Sequence, residues 1–235
     1  MTQPTDHKRR SFIYRQLESA GAEFASHADA AVANRFRNEG DASTLGLADL
    51  SPLPRIGFKG PRALKWMAEQ DAEAPALNNH ASLLADGCLV ARLADSEVLV
   101  LSDLEVKSAT VAKLDSLEPG PGCYPVPRAD TYFWFILTGV HAADCLLKIC
   151  GVDIRPHKFP NHAIAQTSIA RLGTINIRDD RGSTPAYHLI ADGTSAGYFW
   201  TAVLDAMAEF DGRQLGSSHC SPLADAAARC ADTLH

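Results

Sequence analysis

Residues 132–139 read YFWFILTG, and this stretch decides how the whole chain is interpreted. The residues are bulky and favour extended structure, and the run ends at a glycine, so it predicts a buried strand. From His141 to Cys150 the apolar residues recur at spacings of three and four, which predicts a helix. Gly151 follows where a helix end accepts positive φ. The order is therefore strand, then helix.

The region that follows predicts three more strands and one more helix. Residues 163–172, 174–179 and 187–192 favour extended structure, and a Gly-Ser-Thr-Pro turn precedes the last of them. Residues 195–210 are amphipathic, with Phe199 and Val203 on the apolar side. Together with the first pair, these segments form a βαβββα unit that opens at the charged turn near Arg128.

Seven short motifs occur in order within this region: GVDIRP at 151–156, FP at 159–160, QT at 166–167, ARL at 170–172, YFW at 198–200, DA at 205–206 and EF at 209–210. In these motifs the chain resembles the gamma subunits of heterotetrameric sarcosine oxidases. Those subunits are grouped with the folate-binding family that includes the glycine-cleavage aminomethyltransferase, or T-protein. The resemblance covers the second half of the chain well and the first half in outline.

The resemblance implies an α+β fold of two related βαββ-type lobes of the T-protein type. We expect an N-terminal helical arm at 1–45, a first folate-binding-like lobe at 46–118, a linker at 119–124, a second lobe at 125–212 and a C-terminal tail at 213–235. In the arm, Ser11 is placed to cap a helix from Phe12 to Phe24, and residues 30–36 predict a second short helix. Two prolines and two glycines at 119–122 mark the linker.

An internal similarity supports two related halves. Gly60 and Ala63 recur, at a fixed offset of 79 positions, as Gly139 and Ala142. At the same offset, the ARL triplet at 91–93 recurs at 170–172. These matches suggest a duplicated strand-Gly-helix unit followed by a strand.

Catalysis is disfavoured by one missing residue. The resemblance implies that the aminomethyltransferases hold a carboxylate against folate in the strand that corresponds here to residues 87–93. That stretch reads GCLVARL and contains no acid. Arg92 cannot replace a carboxylate as a base, because a guanidinium stays protonated. We therefore assign no catalytic residue.

The patterned region offers a set of polar candidates for binding and one aromatic candidate for an interface. Those that could bind a folate tail or another anion, or contact another subunit, are Arg128, Gln166, Thr167, Arg171, Arg178 and Tyr198. The alternative is that these residues lie on solvated strand faces and edges. Tyr198 and Trp200 flank Phe199 at about 100° on either side of the helix, too wide for one core stripe. Trp200 is therefore a candidate interface residue.

The function implied by the resemblance is that of a gamma-type structural subunit. The complex would be a heterotetrameric, sarcosine oxidase-like oxidoreductase that acts on secondary or tertiary amines in folate-linked one-carbon metabolism. The resemblance places FAD, FMN and NAD on larger flavoprotein subunits and no cofactor on this chain. A tetrahydrofolate site here stays open. The alternatives are a free-standing tetrahydrofolate-dependent aminomethyltransferase or demethylase, and a non-catalytic ligand-binding module.

Composition excludes several other partners. The formal net charge is −6 and no basic face is evident, so nucleic acid is not an expected partner. No apolar run approaches the roughly 20 residues of a membrane helix, so no membrane association is expected. Residues 8–13, KRRSFI, resemble a twin-arginine export motif, but polar residues follow instead of an apolar segment. We therefore expect a cytoplasmic protein.

The six cysteines show neither a C-x-x-C pair nor the spacing of a zinc site. They are expected to be reduced thiols, and Cys123 is interpreted as a linker residue. The one set of residues that resembles metal ligands is His219, Cys220, Cys230 and His235. Because a terminal set with long gaps does not predefine a tetrahedral site, we assign no metal.

Overall fold

The structure is a computed structural model that describes residues 2–27, 29–39 and 41–220. The strands are β1 Arg9–Arg10, β2 Ala22–His27, β3 Ala30–Phe36, β4 Gly46–Asp49, β5 Arg55–Lys59, β6 His80–Leu83, β7 Leu89–Ala94, β8 Glu97–Leu101, β9 Tyr124–Val126, β10 Tyr132–Thr138, β11 Ile164–Ile169, β12 Leu172–Arg178, β13 Ala186–Asp192 and β14 Arg213–Gln214. The helices are α1 Tyr14–Ser19, α2 Ala63–Glu69, α3 Thr110–Asp115, α4 Arg128–Thr131, α5 Ala142–Leu147 and α6 Ala196–Met207. Among these helices none is long and apolar enough to cross a bilayer.

The βαβββα unit predicted from the sequence is confirmed. It corresponds to β10, α5, β11, β12, β13 and α6, in that order. Every residue of β10 after Tyr132 is buried, as its apolar run predicts. The helix predicted up to Cys150 is shorter, because α5 ends at Leu147, and Gly151 does not adopt positive φ.

The two large sheets share one strand order. The six-stranded sheet runs β11-β12-β13-β10-β4-β14, and the five-stranded sheet runs β6-β7-β8-β5-β9. In each sheet the strand that precedes the helix pairs antiparallel with the last strand of its unit: β10 with β13, and β5 with β8. Each sheet is therefore built from the same unit, in which a first strand is followed by a helix and then by three antiparallel strands.

Gly60 and Gly139 occupy equivalent turns, each between a strand and a helix. Their φ values are +126° and +125°, in a backbone region that residues with a side chain rarely adopt. A Cβ atom at Gly60 would lie 2.3 Å from the Gly122 carbonyl oxygen, and one at Gly139 would lie 2.3 Å from that of Thr44. At these two glycines the internal similarity predicted from the sequence holds. For the ARL triplets it fails, because the two arginines occupy different structures. Arg92 lies within β7, whereas Arg171 lies in the turn between β11 and β12 with φ +66°.

The sheets pack face to face over a common core, with helices on the outer faces. Ala91 and Leu99 of the five-stranded sheet meet Trp134 and Ile136 of the six-stranded sheet in this middle layer. The outer face of the six-stranded sheet packs on α5 and α6, and that of the five-stranded sheet packs on α2 and α3. Each large apolar side chain buried in these layers contributes about 1.5–3 kcal/mol.

The predicted linker does not coincide with the division into sheets. β4 precedes residues 119–124 but pairs with β10 of the six-stranded sheet. β9 begins at Tyr124 but pairs with β5 of the five-stranded sheet. Each sheet thus takes a strand from beyond the linker, and the lobes at 46–118 and 125–212 share their core.

The prediction of a helical N-terminal arm is wrong for most of its length. Among the described residues of the arm, α1 is the one α-helix, and it ends before Gly21, whose φ is +84°. The rest of the arm forms a three-stranded sheet in the order β1-β3-β2. Ala31 and Ala33 in β3 are buried in one core and Val32 in the other, so β3 is covered on both faces. This tertiary burial outweighs the helix propensity of the alanines.

Candidate functional site

A cavity of about 380 Å³ opens between the two sheets. Its apolar walls come from Leu89 and Leu101 of the five-stranded sheet and from Trp134 of β10. Asp179, which directly follows β12, lines it together with Arg181 and His188. The cavity falls within the size range of small-molecule sites, with a few polar groups among apolar walls.

A chain of buried hydrogen bonds lines the inner wall of this cavity. Trp134 Nε1 donates to His188 Nδ1 at 2.9 Å, so the imidazole proton must be on Nε2 when the ring is neutral. His188 Nε2 then donates to Asp179 Oδ2, 3.2 Å away. Asp179 also pairs with Arg181 at 2.8 Å and with His162 at 3.4 Å. These five residues are called the Asp179 cluster below.

Burial and hydrogen bonds shift the pKa values of Asp179, His188 and His162 in the cluster. Burial raises the pKa of Asp179, but hydrogen bonds from His162 and His188 and the charge of Arg181 outweigh that effect. The net pKa of Asp179 lies far below its usual range. Burial lowers the pKa of His188, and its hydrogen bond to Asp179 only partly opposes this. The pKa of His162 is raised by its hydrogen bond to Asp179.

The cluster is therefore suited to structure and binding rather than to proton transfer. Asp179 is ionised near neutral pH, and both of its oxygens already have donors. His188 has a partner on each ring nitrogen. A general base must be free to accept a proton from its substrate. The lowered pKa of Asp179 makes it a weak base, and both ring nitrogens of His188 are engaged, so neither group is well suited to that role.

Asp86 and Asp103, which also line the cavity, accept hydrogen bonds that stabilise the loops around them. Asp86 accepts hydrogen bonds from the backbone of Cys88 and from the backbone and hydroxyl of Thr110. Asp103 accepts two more, from the backbone nitrogens of Lys107 and Ser108, both at 2.9 Å. The segment 87–93 still contributes no acid. Of its residues, Ala91 is buried in the middle layer.

Two of the predicted site residues are buried structural arginines. Arg128 pairs with Glu97 and lies over the ring of Tyr132, 4.3 Å from the ring centroid. Arg178 binds both carboxylate oxygens of Asp180, at 2.8 and 2.5 Å. Arg178 also donates to the carbonyl of Phe159 at 2.6 Å. Both guanidinium groups are thus already ion-paired within the chain.

Gln166 joins the edges of the two sheets. Its amide nitrogen donates to Asn79 Oδ1 and to the Leu93 carbonyl oxygen, both at 2.8 Å. Two backbone bonds run between the same edges, from Ile164 to Asn79 and from Ala81 to His162. The expectation that Gln166 and Thr167 lie on an edge agrees with this position. Thr167 is half-buried and pairs with Thr174 in the adjacent strand.

Arg171 and Tyr198 come together at a separate open groove of about 500 Å³, which Lys148 and Asp205 also line. We call it the α6 groove. The side chain of Tyr198 is 54% exposed, whereas Trp200 is 3% exposed and packs edge-on against Phe135, with the ring centroids 4.9 Å apart. The prediction of Trp200 as an interface residue is therefore wrong. α6 lies on a broad aromatic surface of β10, so its buried stripe is wide enough to include Trp200.

The structure also bears on the residues that resembled metal ligands. Cys230 and His235 lie outside the described residues. His219 pairs with Glu39 at 3.1 Å, and Cys220 is buried. Within 2–27, 29–39 and 41–220, no three His, Cys, Asp or Glu side chains are grouped so as to hold a metal.

Sequence reasoning did not identify the Asp179 cluster. One signal was present: His188 interrupts the apolar run of β13, and a polar residue in a buried strand requires a partner. Trp134 was assigned only to the core. The link between them is not visible in sequence, because 54 residues separate them.

Comparison with known proteins supports the fold. No family model and no curated protein sequence matches the chain. The glycine cleavage system aminomethyltransferase T from Bartonella henselae superposes with a TM-score of 0.70 at 15% identity, over 90% of this chain and 60% of that one. A chain of the heterotetrameric sarcosine oxidase from Corynebacterium sp. U-96 gives a TM-score of 0.61 at 19% identity, over 86% of this chain and 96% of that one. The chain thus spans about 60% of the transferase's length and has the mixed α and β fold that it shares with these two proteins.

Proposed function

We propose that this chain is a gamma-type structural subunit of a sarcosine oxidase-like complex that oxidises secondary or tertiary amines. The observation that carries the proposal is the Asp179 cluster, whose carboxylate and His188 imidazole already have partners. A likeness over 96% of one chain of a heterotetrameric sarcosine oxidase supports the subunit role. In this proposal the flavins and NAD are bound by larger subunits of a cytoplasmic, folate-linked complex.

A second candidate function rests on the cavity between the sheets. Its volume of about 380 Å³ suffices for a small heterocyclic ligand such as part of tetrahydrofolate. A free-standing aminomethyltransferase or demethylase would place its chemistry there, and a ligand-binding module would use the same walls. The engaged state of Asp179 and His188 favours binding over catalysis.

The isolated chain is expected to lack transferase activity, because Asp179 and His188, the buried titratable groups at the cavity wall, already have hydrogen-bond partners. The full chain is incubated with tetrahydrofolate and either sarcosine or dimethylglycine, and methylenetetrahydrofolate is measured. We expect formation equal to that of a protein-free control, with an active aminomethyltransferase as the positive control. Turnover that is lost on changing His188→Gln would show instead that the cluster is catalytic.

The α6 groove is the proposed contact with a larger subunit. It presents an exposed aromatic ring, Tyr198, together with the charged residues Lys148, Arg171 and Asp205. Tyrosine and arginine are enriched among the residues that dominate interface energies. The other exposed apolar side chain of the same region, Val152, adjoins Gly151 at the edge of the groove.

Tyr198→Ala is expected to weaken assembly by about 2 kcal/mol, or roughly 30-fold in affinity, with little change in the stability of the chain. Trp200→Ala, the matched change two residues away, should lower the free energy of unfolding by about 3–5 kcal/mol, because Trp200 is core. Pull-down of the complex and thermal melts of the isolated chain separate the two effects. Normal complex yield with Tyr198→Ala would exclude the α6 groove as the contact.

A further inference from the structure

A second, larger cleft of about 790 Å³ lies on the opposite side of the 102–108 segment from the cavity described above. It is bordered by β5, α3, β9 and the start of α4, and Arg9 of β1 lies beside it. Of the residues that line it, only Ser102 also lines the cavity between the sheets. Most of its wall is apolar, formed by side chains such as Ile56, Val111 and Val126.

Arg55 lines this cleft and carries a buried charge without a paired anion. It is 3% exposed. Its terminal nitrogens donate to the carbonyl oxygens of Ser51 at 2.7 Å, Leu53 at 2.9 Å and Ala129 at 3.1 Å, and to that of Tyr132. These acceptors are neutral, so they orient the guanidinium without compensating its charge. Within the described part of the chain, no carboxylate forms an ion pair with Arg55, and its Nε has no hydrogen-bond partner.

The charges around Arg55 are mixed, and none of the described carboxylates forms an ion pair with it. Arg9 adds a second cation and pairs only loosely with the exposed Asp130, at 3.7 Å. Asp49 is buried nearby and forms no ion pair with Arg55. Burial raises the pKa of Asp49, which weakens it as a counter-charge, and burial together with Arg9 lowers the pKa of Arg55 to about 9. Asp115 also lines the cleft. An arginine holds its proton even so, and the cost of an unpaired buried cation remains.

A second polar atom in the cleft is also unsatisfied. Ser102 is 4% exposed, and its hydroxyl has no hydrogen-bond partner among the residues that the structure describes. Buried polar side chains nearly always have a partner, and here two unsatisfied donors belong to side chains that line one cleft, where an external acceptor can reach both. A hydroxyl and a guanidinium both donate to a carboxylate.

We propose that this cleft binds a small organic carboxylate with an apolar body. The carboxylate faces Arg55, with Arg9 contributing at longer range, and the apolar part packs against Ile56, Val111 and Val126. Compensation of the buried charge supplies specificity for an anion, and burial of the apolar body supplies affinity. The site does not depend on the proposed subunit role, because none of the residues that line it belongs to the Asp179 cluster or to the α6 groove.

Calorimetric titration of the full chain with hexanoate, hexanamide and acetate tests the proposal. Hexanoate is expected to bind saturably and to raise the melting temperature. Hexanamide has the same body without the charge, and acetate has the charge without the body. Each should bind at least about tenfold more weakly than hexanoate. Equal affinity for hexanoate and hexanamide, or no saturable binding of hexanoate, would overturn the proposal.

Variants locate the binding in this cleft. Arg55→Met removes the buried charge and should weaken hexanoate at least about tenfold. Because this change could also impair folding, Ala112→Trp provides an independent test: Ala112 is exposed on α3, and a larger side chain there fills the cleft. It should abolish binding, whereas Ala68→Trp, exposed on α2 outside the cleft, should leave affinity unchanged. Unchanged binding in Ala112→Trp would show that hexanoate occupies another site.

Discussion

Replacing Asp179 with asparagine is expected to destabilise the chain by about 3–5 kcal/mol, the range found when one partner of a buried ion pair is removed. Asp179 is 3% exposed and is the common acceptor for Arg181, His162 and His188. An asparagine cannot compensate the charge of Arg181, and its amide group would face the hydrogen-bond donors. Urea unfolding at neutral pH measures the loss.

Asp153→Asn is the matched control. Asp153 pairs with Arg155 at 2.7 Å on the exposed surface, where solvent screens the interaction. Its loss should leave the urea midpoint close to that of the unchanged chain. Equal midpoints for the two variants would mean that the Asp179 cluster contributes no more than a surface pair.

The same variant should change the pH dependence of stability. The folded pKa of Asp179 is lowered, so its contribution is present above the usual carboxyl value and is lost only as the pH falls through the folded pKa. The lowered pKa of His188 makes stability fall as the pH drops below the usual histidine value. The raised pKa of His162 gives a contribution that is present below that value and lost as the pH rises through its folded pKa. In Asp179→Asn, NMR titration should show the pKa of His162 returning toward its usual value.

Gly139→Ala is the second substitution expected to have a large effect, a loss of about 3–5 kcal/mol from backbone strain and overpacking. The φ of +125° is unfavourable for alanine, and the added Cβ would lie 2.3 Å from the Thr44 carbonyl oxygen. Because that oxygen belongs to the backbone, it cannot rotate away. The turn between β10 and α5 would have to shift.

Gly151→Ala is the control for this substitution, since nothing lies within 4 Å of its added Cβ. Its effect on the free energy of unfolding should stay within about 0.5 kcal/mol. Gly60→Ala should resemble Gly139→Ala, because its Cβ would lie 2.3 Å from the Gly122 carbonyl oxygen. A tolerated alanine at both Gly60 and Gly139 would show that these turns do not require glycine.

Periodic segments of the chain could be predicted, and segments set by tertiary contacts could not. β10 was predicted because its short run of bulky residues favours extended structure and ends at a glycine, and α6 because its apolar residues follow a helical period. β3 was predicted as a helix because its alanines favour one, and only its burial between two cores selects a strand.

The functional residues show the same division. Arg128 and Arg178 were identified as polar residues of note, but their roles depend on Glu97 and Asp180, and Glu97 lies 31 positions from Arg128. His188 was not singled out from the sequence, because only the pairing of β10 with β13 brings it to Trp134. The contacts of Arg128 with Glu97 and of His188 with Trp134 join distant segments, so composition and spacing do not encode them.

We propose that the chain acts as a non-catalytic subunit of a flavin-containing complex. Affinity isolation of the tagged full chain from its native host, under non-denaturing conditions, tests it most directly. We expect larger chains to co-purify in a constant ratio. The preparation should show flavin absorbance and should oxidise a secondary or tertiary amine. A colourless preparation of this chain alone, active with tetrahydrofolate and an amine, would contradict it.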